Sequence, residues 1–517
     1  MQRCVAFGAQ SNSEPDSLSL WRRMVPSWPL LVALAALARA LAQPTALLND
    51  PDTYLHIAAG RWMLTHVELP VQDPFSHSLS GATWVPHEWL AEIVLAAVFS
   101  AAGWSGLVLV GAASFAITMG LLTRFLLRYF EPFSALIAVT LGAALVLGHL
   151  LVRPHLLALP LLVIWSGELF AARDAGSAPP GWLLPVMVLW ANLHGSFMFG
   201  LALALYLGAE AVLLPERCGL GVRRWGLFCV LASAAALATP NGIAGFVQPF
   251  RLMMMPALQG SFVEWLSPNF QTLQPLEIWL LGLIALAFTT GIRLPLQRLL
   301  LLLVLCHMAL THVRHADLLG LVGPLVVAAS LGRQIAARIR AAPSSALGQG
   351  VARLAAPARA PAVALTLATA VVIVLPGLLR PIVRSDDPIT PTAALAAAAR
   401  MGLNGPVFNS EGFGGYLIFS GIQTFIDGRV ELYGNAFLAR YLEAEDGNDS
   451  ALAPLLERYG ITWTLLSPHQ GAVHRLDGLP GWHRVYADAH AVVHARDVGH
   501  SGAAETHGLS DAGPPLN

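Results

Sequence analysis

The stretch NDPDTYLHIAAGRW, Asn49 to Trp62, follows directly on an apolar run that ends at Leu48. It sets Asp50, Asp52 and His56 within seven residues of one another, at the mouth of that run. Ionisable groups at the end of a hydrophobic segment are costly to bury and often functional. Whether the run crosses a membrane therefore decides how the chain is read. Of 517 residues, 56% are hydrophobic and 12% charged, with mean hydropathy +0.61. A soluble globular chain carries about 25% charged residues. Half that share predicts a polytopic α-helical membrane protein. A net charge of −1 excludes a global field that would draw the chain to nucleic acid. The basic residues are all arginine. Cys4, Cys218, Cys229 and Cys306 are too widely spaced for a metal or redox motif.

Residues 1–25 read as a cytoplasmic N-terminal segment, with Arg22 and Arg23 before the first apolar run at 26–48. That run is roughly 20 residues, enough for about 30 Å of hydrocarbon, and is read as an uncleaved first helix rather than a signal peptide. Further runs lie at 105–127, 133–152, 155–172, 181–194, 196–214, 225–240, 275–291, 296–311, 317–335 and 361–379, which makes about eleven transmembrane helices. One long helix over 181–214 is the alternative to two spans there. With the N-terminus in the cytoplasm, cytoplasmic segments hold sixteen arginines, and the outer segments, counted through Arg380 and Arg384 just after the last helix, hold six. The reverse orientation inverts that balance, so the positive-inside rule selects this one. The expected organisation is a transmembrane domain over 26–380 with a first outer loop at 49–104. An extracytoplasmic α/β domain over 381–496 and a disordered tail over 497–517 follow.

In this orientation Asp50, Asp52, His56, Asp73, His87, Glu88, Arg153, His155, Asn192, His194, Glu264, Arg314 and His315 all fall at the outer face. Thirteen polar residues near helix ends on one side of a membrane predict a site.

Inside the first outer loop, Asn49 or Asp50 is placed to cap a helix, and Pro51 suits its first turn. Leu55, Ala58, Ala59, Trp62 and Met63 form an apolar stripe at helical spacing, which predicts a short amphipathic helix on the membrane surface. A second stripe, Trp89, Leu90, Ile93, Val94, Ala97 and Val98, ends at GWSG (Gly103 to Gly106) and is also placed in the interface. An acid just after the first membrane helix, then Tyr54, Ile57 and Ala58 on a surface helix, resembles the GT-C superfamily of integral-membrane glycosyltransferases. Its members include protein mannosyltransferases and aminoarabinose transferases. WVPHEWLAEI and LVRPHLLALP resemble the superfamily's second surface helix and the outer end of its third span, the latter with Arg153 and His155. The resemblance covers residues 26 to about 175 best. It departs from the pattern at Pro51, where many members carry a second acid; Asp52 comes one residue later.

What the resemblance implies is sugar transfer from a polyprenyl-phosphate-linked donor to an extracytoplasmic lipid, glycan or protein acceptor, at a bacterial inner membrane. A divalent metal is compatible with the superfamily. Such transfer needs a base for the acceptor hydroxyl and cationic groups for the departing phosphate. Asp50 is the expected base, with Asp52 positioning acceptor or base, or replacing Asp50 outright. Arg153 and Arg314 are the expected phosphate ligands, with His155 and His315 as helpers. His56, Asp73, His87, Glu88, Asn192, His194 and Glu264 are expected to line the site.

Each residue has a plainer reading. Asp50 serves equally as a helix cap, and Asp52 with His56 as a local i, i+4 pair. Arg153 and Arg314 serve as arginines reaching headgroups, and Asp73 as a turn former before proline. Glu88 could cap the second surface helix or join His87 on a metal, although two adjacent ligands do not make a metal site. NLHGSF, from Asn192 to Phe197, is either site lining or a glycine turn. GWSG also matches a serine-protease motif, which would need a histidine partner for Ser105 from another helix.

Beyond the last span, GPVFNS predicts a strand, EGFGGYLIFSG a short helix and TFIDGRVELYG a strand with Asp427, Gly428 and Arg429 at its end. ALAPLLERYGITWTLLSP predicts helix then strand, and HAVVHA another strand. Asp427 and Arg429 either face the acceptor or form an internal ion pair in a turn. Rival readings are a transporter or lipid flippase, a lipid-linked polysaccharide polymerase or ligase, and a scaffold. A transporter predicts charges near mid-membrane and symmetry between halves; the polar groups here cluster at one face.

Overall fold

A computed structural model describes residues 24–213, 221–256, 263–339 and 352–497. The expected N-terminal segment up to residue 23, Cys4, Cys218 and the expected tail from residue 498 lie outside them. The described residues form two compact units. The first lies within Met1–Pro74, Gly81–Arg384 and Arg429–Asn435; the second lies within Phe75–Ser80, Ser385–Gly428 and Ala436–Asn517.

The first unit is helical. Its chain runs through α1 (Trp28–Leu41), a 3-10 turn (Pro44–Leu48), α2 (Asp52–His66), α3 (Trp89–Leu126), α4 (Pro132–Leu147), α5 (Pro154–Asp174), α6 (Leu183–Leu193) and α7 (Phe197–Leu213). It continues through α8 (Gly221–Ala236), α9 (Gly242–Met253), α10 (Pro275–Thr290), α11 (Leu296–Thr311), α12 (Ala316–Ile339) and α13 (Ala360–Leu379). Four stretches, Trp89–Leu126, Pro154–Asp174, Val313–Ala337 and Ala360–Leu379, are long and apolar enough to cross a membrane, and six further apolar helices are shorter. The outer surface of α10 carries Leu281, Ile284 and Phe288, each more than half exposed. A stripe of that kind is unfavourable against water and at home against lipid tails.

Among the described residues a helix lies on nearly every expected run, with two differences and one addition. The first run is not one helix of 20 residues. It is 14 residues of α-helix followed by a 5-residue 3-10 turn, because Pro44 removes a backbone donor in mid-run. The 181–214 region is two helices broken at His194–Ser196, as its two separate runs lead one to expect. The segment from Trp89 and the span from 105 belong to one element, kinked at Gly103 (φ 58°, ψ −150°), a backbone state that glycine adopts without strain. The GWSG tetrad is that kink; Ser105 Oγ accepts the amide of Ile382 at 3.1 Å. Helix α9 was not expected.

The expected surface helix forms as α2, but it is not half-exposed: Thr53 through Gly60 are all buried. Helix α3 lies against it. A Cβ added at Gly60 would sit 2.0 Å from the Glu92 carbonyl oxygen and 2.8 Å from Ala96 Cβ. Gly60→Ala is expected to push the two helices apart at a cost of about 1–3 kcal/mol. Thermal unfolding in detergent checks this; an unchanged midpoint would show that the contact is not tight. Close approach recurs at Gly142, where a Cβ would lie 2.5 Å from the Gly320 carbonyl oxygen, joining α4 to α12.

The second unit is α/β. Its elements are α14 (Thr392–Arg400), β1 (Val407–Asn409), α15 (Glu411–Phe419), most of α16 (Val430–Glu445), α17 (Asp449–Arg458), β2 (Trp463–Leu466), α18 (Gly471–Asp477), β3 (Trp482–Ala487) and β4 (Val492–Arg496). The sheet order is β1-β2-β4-β3, with β1 and β2 parallel and β4 antiparallel to both its neighbours. Val407, Phe413, Leu417, Trp463, Leu465 and Val493 form its core. Helices α14 and α18 and strand β3 add to the elements expected. One expectation fails: TFIDGRVELYG is not a strand. Thr424 makes a single bridge to Ser76, and Val430 opens a helix. The Asn409 side chain supplies what a neighbouring strand would have: its Oδ1 accepts from Phe425 N at 2.8 Å and its Nδ2 donates to Ile426 O at 2.9 Å. With those backbone groups satisfied, no ladder is required.

Candidate active site

The site is built where α2 and α5 begin. Val152 N donates to Leu47 O at 2.8 Å, and Thr53 Oγ1 donates to Val152 O at 3.0 Å. The chain before α5 is thus held between the 3-10 turn and α2. Arg153 is the next residue, with Pro154 at the first helical position. It therefore meets the acids of the first loop, 103 positions away.

Arg153 is a hub. Its Nη1 lies 3.2 Å from Asp50 Oδ2 and 3.3 Å from Glu264 Oε2, and its Nη2 lies 2.8 Å from Asp52 Oδ2. Glu264 sits on a 3-10 turn, Val263–Trp265, and its Oε1 is 3.6 Å from Arg314 Nη1. Arg314 sits on a second 3-10 turn, Val313–His315, with its guanidinium 4.5 Å from the Trp265 ring. The two turns are tied by Val313 N to Leu266 O at 3.0 Å and by the His312 ring, which donates from Nδ1 to Trp265 O at 2.6 Å. Asp50 is also a cap: its Oδ1 accepts the Asp52 amide at 2.8 Å. One Asp50 oxygen thus faces the start of α2 and the other faces Arg153.

A second pole adjoins the first. Glu88 Oε1 is 3.4 Å from His194 Nε2 and 3.8 Å from His87 Nε2. His194 Nδ1 accepts the Ser196 amide at 3.1 Å, so its proton is on Nε2, facing Glu88. The His155 ring stands 6.2 Å from that of His194. His155 Nε2 donates to His149 O at 3.1 Å, which leaves Nδ1 as an acceptor and no donor for a phosphate. Although Glu88 occupies the N-cap of α3, its side chain makes no capping bond. Asn192 is a clip. Its Oδ1 accepts from Trp89 Nε1 at 2.9 Å, and its Nδ2 donates to Val188 O and Ala238 O. It borders an apolar cavity of about 690 Å³ lined also by Leu90, Leu184, Val188 and Pro240.

His56 pairs with Glu92 at 3.2 Å and Asp52 with Arg153, so the local Asp52–His56 pair does not form. Glu92 Oε2 is buried with no hydrogen-bond partner among the described residues. Glu92 was missed in the sequence, although a lone acid inside the apolar stripe Trp89–Val98 was the signal to follow. The His315 ring lies 5.3 Å from that of His312 and 6.4 Å from Trp265. Asp73 bonds Arg429, Oδ1 to Nη1, at 2.6 Å.

Burial dominates the electrostatics. It pushes the Asp52 carboxyl up to about 6, with the Asp50 charge adding and Arg153 opposing. Burial also pushes the His194 imidazole down to about 4 against the pull of Glu88, so it is neutral at pH 7. Burial opposes ionisation of Glu88 as well, but His194 and His87 hold it down at about 2. Glu264 likewise resists burial and stays below the ordinary range because Arg153 and Arg314 flank it. Arg153 is held well above its ordinary value, its acids outweighing its burial. Among the described residues no group of three or more His, Cys, Asp or Glu side chains is placed to hold a metal ion.

No protein-family model matches the chain, and no curated protein matches it. Solved structures do. One is the archaeal oligosaccharyltransferase AglB from Archaeoglobus fulgidus, in complex with an inhibitory peptide and a dolichol-phosphate. It shares 11% identity over 85% of this chain and 69% of its own, with a TM-score of 0.52. Another is ArnT from Cupriavidus metallidurans bound to undecaprenyl phosphate, with 14% identity over 95% of this chain and 100% of its own, and a TM-score of 0.45. The likeness to the first shows a shared fold.

Proposed function

We propose that this protein is a membrane glycosyltransferase that moves a sugar from a polyprenyl-phosphate-linked donor to an acceptor outside the membrane. The observation that carries this reading is the convergence of Asp50, Asp52 and Glu264 on Arg153, with Arg314 alongside, at the ends of apolar helices. The proposed setting is a bacterial inner membrane, with the N-terminus in the cytoplasm and the second unit outside.

Roles divide by what each group has left to offer. Both oxygens of Asp50 are engaged, one by the α2 amide and one by Arg153. Among the described residues Asp52 is paired through Oδ2 to Arg153 and no hydrogen bond is made by its Oδ1, and a carboxyl near 6 suits a base at neutral pH. Asp52 takes the proton of the acceptor hydroxyl; that oxygen attacks the sugar's anomeric carbon; the bond from that carbon to the phosphate oxygen breaks. The phosphate leaves with its lipid. Arg153 is saturated by acids, whereas Arg314 has one carboxylate at 3.6 Å and an aromatic face, so Arg314 is the group to meet the phosphate.

The test is reconstituted protein with undecaprenyl phosphate. Binding is expected to raise the thermal midpoint of the wild type. Arg314→Ala is expected to weaken binding about tenfold to a hundredfold, the loss of one charge-assisted hydrogen bond. No stabilisation of the wild type at any lipid concentration would count against the transferase.

A further inference from the structure

We infer that Arg153 is a built-in counter-ion occupying the position a divalent metal would need, so the site holds no divalent cation and its reaction requires none. Three carboxylates from two separate segments converge here, and like charges at this separation do not all stay ionised without a cation between them. The superfamily resemblance allows a metal for that purpose, so the fit can be examined. A hard divalent cation needs oxygens at about 2.0–2.6 Å around one point. At that point stands a planar guanidinium, with Asp50 and Glu264 on Nη1 at 3.2 and 3.3 Å and Asp52 on Nη2 at 2.8 Å.

Two further observations fix the cation in place. The backbone before Arg153 is pinned to Leu47, and Val152 O is held by Thr53, so the guanidinium is delivered by the same contacts that assemble the acids. Asp50 Oδ1 is committed to the Asp52 amide and is not free to complete a metal sphere. The second pole does not offer a site either. Its His194 faces Glu88 with a protonated Nε2 while Nδ1 is taken by Ser196, Glu431 adds a second acid near His87 and Glu88, and among the described residues no three such side chains are placed to hold a metal. The donors present therefore do not fit a divalent metal. An arginine keeps its charge at any physiological pH and cannot be chelated away.

The statement about the reaction rests on the proposed transferase; the statement about metal binding does not. Mn²⁺ titration of the purified protein, read by the paramagnetic resonance of the free ion, tests it. Wild type and Arg153→Lys are expected to bind no stoichiometric Mn²⁺ at millimolar concentration. Arg153→Ala keeps the three carboxylates and loses the cation, and is expected to bind one Mn²⁺ roughly tenfold or more tighter than wild type. One Mn²⁺ bound by wild type and lost in Glu264→Gln would overturn the inference, whether or not the alanine variant folds. Transfer that stops with a chelator and returns with Mn²⁺ would overturn it too, while leaving the transferase standing. Absence of transfer under every condition would remove the transferase and leave the titration to decide the metal question.

Discussion

Asp52→Asn is expected to lower kcat about 10²- to 10⁴-fold, the usual contribution of a positioned general base. Asparagine keeps the shape and can still accept from Arg153 Nη2, now 2.8 Å from the carboxylate, so donor KM is expected to change little. The wild-type pH profile should carry the same signature. Burial raises Asp52 to about 6, so the carboxyl is protonated and inactive below that pH. Transfer rises with pH through about 6 and levels above it, and the asparagine variant loses that limb. The linked stability has the opposite sign: a carboxyl raised on folding favours the folded state below its ordinary range, and this contribution is lost as pH rises through about 6. Asp50→Asn keeps an oxygen for the Asp52 amide, because asparagine caps about as well as aspartate, and is expected to cost little stability, with a smaller loss of kcat. Full activity in Asp52→Asn together with a dead Asp50→Asn would exchange the two roles.

The second large effect is structural. Arg429→Ala is expected to cost about 3–5 kcal/mol of stability, because it takes a charged partner away from a buried carboxylate. The Asp73 side chain is 0% exposed and that of Arg429 4%, and the guanidinium also lies 4.7 Å from the Trp84 ring. Asp73 is held from its backbone as well, its amide donating to Ala82 O and its carbonyl accepting from Gly81 N. The pair joins the first outer loop to the Arg429–Asn435 segment, 356 positions later in the chain. Thermal unfolding of Arg429→Ala, Asp73→Asn and the double variant measures the coupling. The double variant is expected to recover part of the loss, since it leaves no unpaired charge. Strict additivity would show that the two residues act separately.

The Asp427–Arg429 turn was expected either to face the acceptor or to close on its own ion pair. Arg429 reaches Asp73, and Asp73 is thereby more than a turn former before proline. The first loop shows the same limit. Its stripe of Leu55, Ala58, Ala59, Trp62 and Met63 marks a helix correctly, because the period of apolar residues is a local property of the chain. It does not show that α3 covers the opposite face, because that depends on Gly60 admitting the Glu92 backbone.

What the sequence by itself determined is whatever short-range physics decides. Low charge and repeated apolar runs determined a polytopic helical membrane protein, and the helices fall on those runs because hydrophobicity and backbone bonding act over a few residues. The position of Asp50 and Asp52 at the end of the first run, and of Arg153 just before another, was equally legible. Only the tertiary structure decided which of these charges meet. Arg153 reaches Asp50 and Asp52 from about a hundred residues away, Glu264 closes the cluster from a further hundred, and His56 turns to Glu92 rather than to its neighbour Asp52. A buried charge takes whichever partner packing brings within about 4 Å, and packing is set by helices whose contacts no local pattern encodes.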